Sequence, residues 1–108
     1  MGKFKEFLET VNENTGEISV VADMLRMIVA KDRIRTSSDK KRGFAQVSVF
    51  GDDENELVLL GKKVKKSVES NLFYKIIRTE DNWGEECLAL YITNIDNKKV
   101  DKRTIKKL

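Results

Sequence analysis

Between Phe44 and Ile95 the apolar and polar positions fall into blocks of different period. From Phe44 to Phe50 they alternate, with Ala45, Val47 and Val49 on one side and Phe44, Gln46, Ser48 and Phe50 on the other, which predicts a strand. Gly51-Asp52-Asp53-Glu54-Asn55 breaks the alternation and supplies side chains that can cap a helix. Leu57, Leu60, Val64 and Val68 then recur about once per helical turn, predicting an amphipathic helix in spite of Gly61, a poor helix former. Two more alternating runs, 72–79 and 87–95, flank Glu80-Asp81-Asn82-Trp83-Gly84-Glu85-Glu86 and predict a hairpin with a tryptophan at its tip. Leu88, Leu90 and Ile92 share one face of the last run, so that face is core and the other is wet or contacted.

The first third is less regular. Phe4, Phe7, Leu8 and Val11 stand at helical spacing and predict a short helix over 3–13, with a turn over 12–17 that includes Asn14-Thr15-Gly16. The segment 18–36 takes two readings. Val21, Met24, Leu25, Ile28 and Val29 form a helical stripe that Ser19 could cap, yet the same segment reads as a strand apolar on both faces. Its β-branched content and its place before Phe44 favour a long bent strand; a helix at 19–31 is the alternative. Thr36 to Gly43 reads as a polar loop without an apolar anchor. The expected fold is mainly β with one or two helices and a small barrel-like sheet, the alternative being an α+β fold built around that helix.

Composition narrows the classes. A chain of 108 residues makes one domain, expected over 1–97, with 98–108 as a basic C-terminal tail. No apolar run approaches the roughly 20 residues needed to cross a bilayer, and the first residues lack the apolar core of a signal peptide, so a cytoplasmic protein with no membrane partner is expected. One cysteine, Cys87, forms no internal disulfide and sits in a strand-like run, where a thiol is usually packing material. Histidine is absent, which removes the commonest general base and the commonest zinc ligand. The carboxylate pairs Asp52-Asp53 and Glu85-Glu86 are adjacent in turns and point apart, and the six glycines are too scattered to cradle a phosphate. The expectation is a non-enzyme with no catalytic residue, metal or cofactor. The formal charge is +3, but Lys98 to Leu108 carry six bases against Asp101 alone, leaving the rest slightly acidic.

From Phe44 onward the chain resembles the OB-fold single-stranded DNA-binding proteins of bacteria and their phages. The residues that carry the resemblance are the strand Val47-Ser48-Val49-Phe50-Gly51, the amphipathic segment after it, the strand running Leu72-Phe73-Tyr74-Lys75-Ile76-Ile77-Arg78-Thr79, and the hairpin through Asp81-Asn82-Trp83-Gly84. It covers about half of the chain, residues 44–95, and is one of pattern. It departs from the family in its basic C-terminus, where the family often has an acidic tail, and in lacking the family's early glycine-patterned strand. The resemblance implies a small OB-like five-stranded β-barrel that binds single-stranded DNA or RNA during replication or recombination, alongside other proteins of those processes, with self-association open.

Single-strand binding needs cations that follow phosphates and exposed rings for unstacked bases. Candidate cations are Arg33, Arg35, Lys40, Lys41, Arg42 and Lys75; candidate rings are Phe44, Phe50, Tyr91 and Trp83. If the strands at 44–50 and 88–95 are neighbours, Phe44, Phe50 and Tyr91 share a face. Plainer readings stand beside these. Phe50 next to Gly51 reads first as strand-end packing, Tyr91 as cover for the sheet, and Lys62-Lys63-Val64-Lys65-Lys66 as the solvated face of a helix. Trp83 sits among Glu80, Asp81, Glu85 and Glu86, which repel phosphate and suit a protein contact better. The alternative function is therefore a small phage- or plasmid-type interaction module or inhibitor that contacts a host protein through the acidic Trp83 hairpin.

Overall fold

A computed structural model describes residues 17–69 and 71–108; the helix expected over 3–13 and the turn after it, up to residue 16, lie outside the described residues, and Glu17, expected in that turn, is helical. The elements are helix α1 (17–26), a 3-10 turn (Lys31–Arg33), β1 (Ile34–Asp39), β2 (Phe44–Gly51), α2 (Glu54–Ser67), β3 (Phe73–Glu80), β4 (Glu86–Thr93), a 3-10 helix (Lys98–Arg103) and β5 (Thr104–Lys107). The strands form one antiparallel sheet in the order β1-β2-β4-β3-β5. The protein is thus an α+β domain with a five-stranded sheet, the fold that the sequence offered as its alternative. The sheet is open, with β1 and β5 at its edges, where closure into a barrel was expected.

The long bent strand expected over 18–36 is replaced by α1, the 3-10 turn and the start of β1. The helix wins because its stripe buries the right residues. Ile18, Val21, Ala22 and Leu25 are all in the core, while Asp23 and Arg26 face outward and pair at 2.9 Å. A strand would have turned a charged residue into the core on one face or the other. The helix already runs at residue 17, so Ser19 lies within it and caps nothing.

β1 takes up part of the expected polar loop. It pairs with β2 from Ile34↔Val49 to Asp39↔Phe44, and its middle four residues are exposed. An edge strand held by backbone bonds needs no apolar alternation, so periodicity could not reveal it. The predicted helix and hairpin form close to their expected bounds. Asp53 caps α2 by accepting from Asn55 N at 2.9 Å, and Leu57, Val58, Gly61 and Val64 are buried on its inner face.

Both helices lie on one face of the sheet. Val47 and Val49 of β2, Ile76 of β3, and Leu90 and Ile92 of β4 pack there with Leu25, Leu57 and Val64 into the main core. On the far face a smaller cluster forms where Val100, from the Lys98–Arg103 helix, covers Ile77 and Ala89 with Phe50 and Tyr91 beside it. The expected basic tail is therefore folded: it lays a 3-10 helix over the far face and adds β5 alongside β3. No helix among the described residues is long and apolar enough to cross a membrane.

Candidate nucleic-acid interface

The far face of the sheet is the surface on which the sequence-predicted residues meet. β2 and β4 are neighbours, with Ser48 opposite Tyr91 and Phe50 opposite Ala89. Since side chains alternate along a strand, Phe44, Ser48, Phe50 and Tyr91 share the face away from the helices. The three rings are half-buried, so part of each remains at the surface. Ser48 between them is buried and donates to the Arg35 carbonyl at 3.4 Å.

Arg35, exposed on β1, places its guanidinium carbon 5.1 Å from the Phe50 ring centroid. At this distance the cation is drawn to the ring face. Lys40 and Lys41 stand exposed in the β1–β2 turn beside Phe44. There Asp39 accepts from Lys41 N at 3.1 Å and lies 3.6 Å from Arg42 Nε, whose side chain is 73% exposed. Across the face, the Lys98–Arg103 helix presents Lys98, Lys99 and Lys102 to solvent. Cations thus border the aromatic strip on two sides. The sequence left this second border open, since the C-terminal lysines read either as an extension of a nucleic-acid footprint or as a solubilising tail.

Two predicted cations are spent on structure. Arg33 Nε donates to the Phe50 carbonyl at 2.8 Å, and its terminal nitrogen pairs with Glu56, tying the 3-10 turn to β2 and α2. This explains the Phe50-Gly51 step, because a Cβ at Gly51 would lie 2.8 Å from Arg33 Nη2. Lys75 is on the far face, but its side chain is only 8% exposed. Its ammonium donates to Asp101 at 2.7 Å, to Asp96 at 2.8 Å and to the Asn97 carbonyl at 3.4 Å. These bonds, Asp101 first and Asp96 second, hold the Lys75 ammonium above its ordinary pKa against the opposing effect of burial. The same pair holds Asp101 below the usual carboxylate value. Lys75 is a buried staple for the Lys98–Arg103 helix and is not free to meet a phosphate.

Trp83 is not brought to this face. It is 86% exposed at the β3–β4 tip, past the end of β2, where Gly51 pairs with Leu88. The tip is well organised: Asp81 accepts from Trp83 N at 2.8 Å and from Glu85 N at 3.0 Å, and its own N donates to the Glu85 carbonyl at 2.9 Å. The lysines of α2 lie on the helix side of the sheet, away from the aromatic strip; Lys65 there reaches the Leu108 carbonyl at 3.1 Å.

The half-buried Cys87 thiol is pushed up by burial first and by Asp81 and Asp52 second, which depletes the reactive thiolate. Among the described residues no group of three or more acidic or cysteine side chains is placed to hold a metal. What the arrangement can do is hold planar rings against a sheet while cations at the margins take up negative charge. No protein-family model, curated protein or solved structure matches the chain.

Proposed function

We propose that the protein binds single-stranded nucleic acid, DNA foremost, without catalysis, on the sheet face opposite its helices. The observation that carries this is the strip of Phe44, Phe50 and Tyr91 on one face, with Arg35 over Phe50 and cations on both borders. Unstacked bases lie against the rings and the Arg35 plane, and the phosphates run toward the β1–β2 turn and the Lys98–Arg103 helix. The chemistry is that of the OB-type binders that residues 44–95 resemble, carried on an open face in place of a barrel's groove. A role in replication or recombination follows from that resemblance.

The test is fluorescence anisotropy of the pure protein with a labelled mixed-sequence single strand at low and high salt, with unlabelled duplex as competitor. Tight binding that weakens with salt, resists duplex and falls in Phe50→Ala supports the reading. No binding at low salt ends it.

A second reading rests on Trp83, an indole held out on a cross-bonded acidic tip. In that case the tip docks a basic partner protein with the indole as anchor. Partner binding would be lost in Trp83→Ala and survive Arg35→Ala, the reverse of what nucleic-acid binding requires.

A further inference from the structure

At the Phe44 end of the aromatic strip the surface dips into a recess of about 290 Å³, near the lower end of the ~300–1,000 Å³ typical of small-molecule sites. Its floor is apolar, made by Phe44 and by Ile95, which is 44% exposed. Its rim carries two carboxylates, Asp39 and Asp96, and two cations, Arg42 and Lys99. The walls come from two segments far apart in the chain, the β1–β2 turn and the loop after β4, and Asn94 ties them together. Its side chain donates to the Gly43 carbonyl at 2.6 Å and accepts from Ala45 N at 2.9 Å, while its own N donates to the Ala45 carbonyl at 3.3 Å. Thr93 Oγ1 donates to the Ile95 carbonyl at 2.8 Å and stiffens the loop further. The recess is therefore held in shape before anything enters it, which reduces the ordering cost of binding.

We infer that this recess receives one unpaired nucleobase bearing an exocyclic amino group, stacked on Phe44 with its edge toward Asp39 and Asp96. The inference rests on the single-strand reading above and adds a base preference to it. The floor supplies a ring face and aliphatic cover for a flat, weakly polar ligand. Ionised carboxylates only accept hydrogen bonds, so they select ligands whose edges donate. Lys75 takes Oδ1 of Asp96 and Lys41 N takes Oδ1 of Asp39; Asp39 Oδ2 also faces Arg42 Nε at 3.6 Å, beyond hydrogen-bond length, so the second oxygen of each can still accept. Cytosine and adenine offer an amine there, and guanine an amine beside a ring N–H. Thymine and uracil have a single N–H flanked by carbonyls, which the carboxylates repel. In a duplex those edges are already paired, so the site takes single strands. Arg42 and Lys99, on opposite sides of the opening, are placed for the phosphates that flank the inserted base.

The experiment compares labelled oligo-dC, oligo-dA and oligo-dT of one length by anisotropy at one salt concentration. The expected result is binding of oligo-dC and oligo-dA at least about fivefold tighter than oligo-dT, the low end for a specific edge contact. Asp39→Asn, whose amide adds a donor, narrows that gap. Phe44→Ala weakens all three, with circular dichroism confirming the fold. Binding of oligo-dT as tight as either of the others, or a gap that Asp39→Asn leaves unchanged, overturns the pocket while the sheet-face reading stands. No binding of any oligonucleotide overturns both.

Discussion

Arg35 on the edge strand lies over the ring of Phe50 on its neighbour, guanidinium carbon to centroid 5.1 Å. The contact covers a ring that would otherwise be the obvious platform for a base. A base stacked here meets the guanidinium plane, with Phe50 fixing that plane from beneath. Phe50→Ala is expected to weaken single-strand binding by about 1–3 kcal/mol. Arg35→Ala should lower affinity while changing the slope of log K against log salt little, because Arg35 stacks on a base and the phosphates run elsewhere. Arg35→Lys should not restore the affinity in full, because an ammonium has no plane to stack on. Anisotropy titrations at several salt concentrations read all three.

Lys75, Asp96 and Asp101 give stability a defined pH dependence. The lysine's folded pKa is above its ordinary 10.5, so its contribution is complete below that value and is lost as pH rises through the folded value. Asp101's folded pKa is below its ordinary 3.8, so its contribution is complete above that value and is lost as pH falls through the folded one. The stability difference between the wild type and Lys75→Met should form a plateau across neutral pH and shrink toward both extremes. Thermal melts followed by circular dichroism across the pH range check this. A difference that does not vary with pH would mean that Lys75 contributes packing alone.

Gly61 is where α2 comes closest to the sheet and the chain end. A Cβ there would lie 2.6 Å from Leu108 Cδ1 and 3.3 Å from Leu90 Cδ1. Leu108 is only half-buried, so the end of its side chain can swing aside, but Leu90 is fully buried. Gly61→Ala should thus change stability by less than about 1 kcal/mol, since alanine's helix preference offsets the crowding. Gly61→Val should cost about 1–3 kcal/mol through overpacking against Leu90. Urea denaturation of both variants separates the two outcomes.

Trp83 is the sole tryptophan and stands 86% exposed, so the protein's intrinsic fluorescence reports on the hairpin tip alone. Its emission should be that of a solvated indole, readily quenched by acrylamide, and should stay unchanged when an oligonucleotide binds the distant sheet face. Trp83→Ala should alter stability by no more than about 0.5 kcal/mol, as at other surface sites. A blue shift on adding oligonucleotide would place the tip in the binding surface.

Local pattern alone was enough for β2, α2, β3 and β4. Their apolar residues repeat with the period of the element, and Asp53 and the Asp81–Glu85 turn carry their own stop signals. The same alternation put Phe44, Phe50 and Tyr91 on one face once β2 and β4 were taken as neighbours, which they are. Other features depended on contacts between distant parts of the chain. α1 and a strand were close competitors in local preference, and burial of Val21 and Leu25 against the sheet decided for the helix. β1 shows no alternation because an edge strand is held through its backbone by β2. Lys75 looks like any other basic residue in the sequence; only the fold brings Asp96 and Asp101 to it, and so makes it a buried staple. The residues after Asn97 read either as an extension of the footprint or as a solvated tail, because their charge outweighs their single buried anchor, Val100. Whether the strip of rings has one basic border or two was therefore decided by tertiary packing, since a hydrophobic contact across the sheet leaves no period in the sequence.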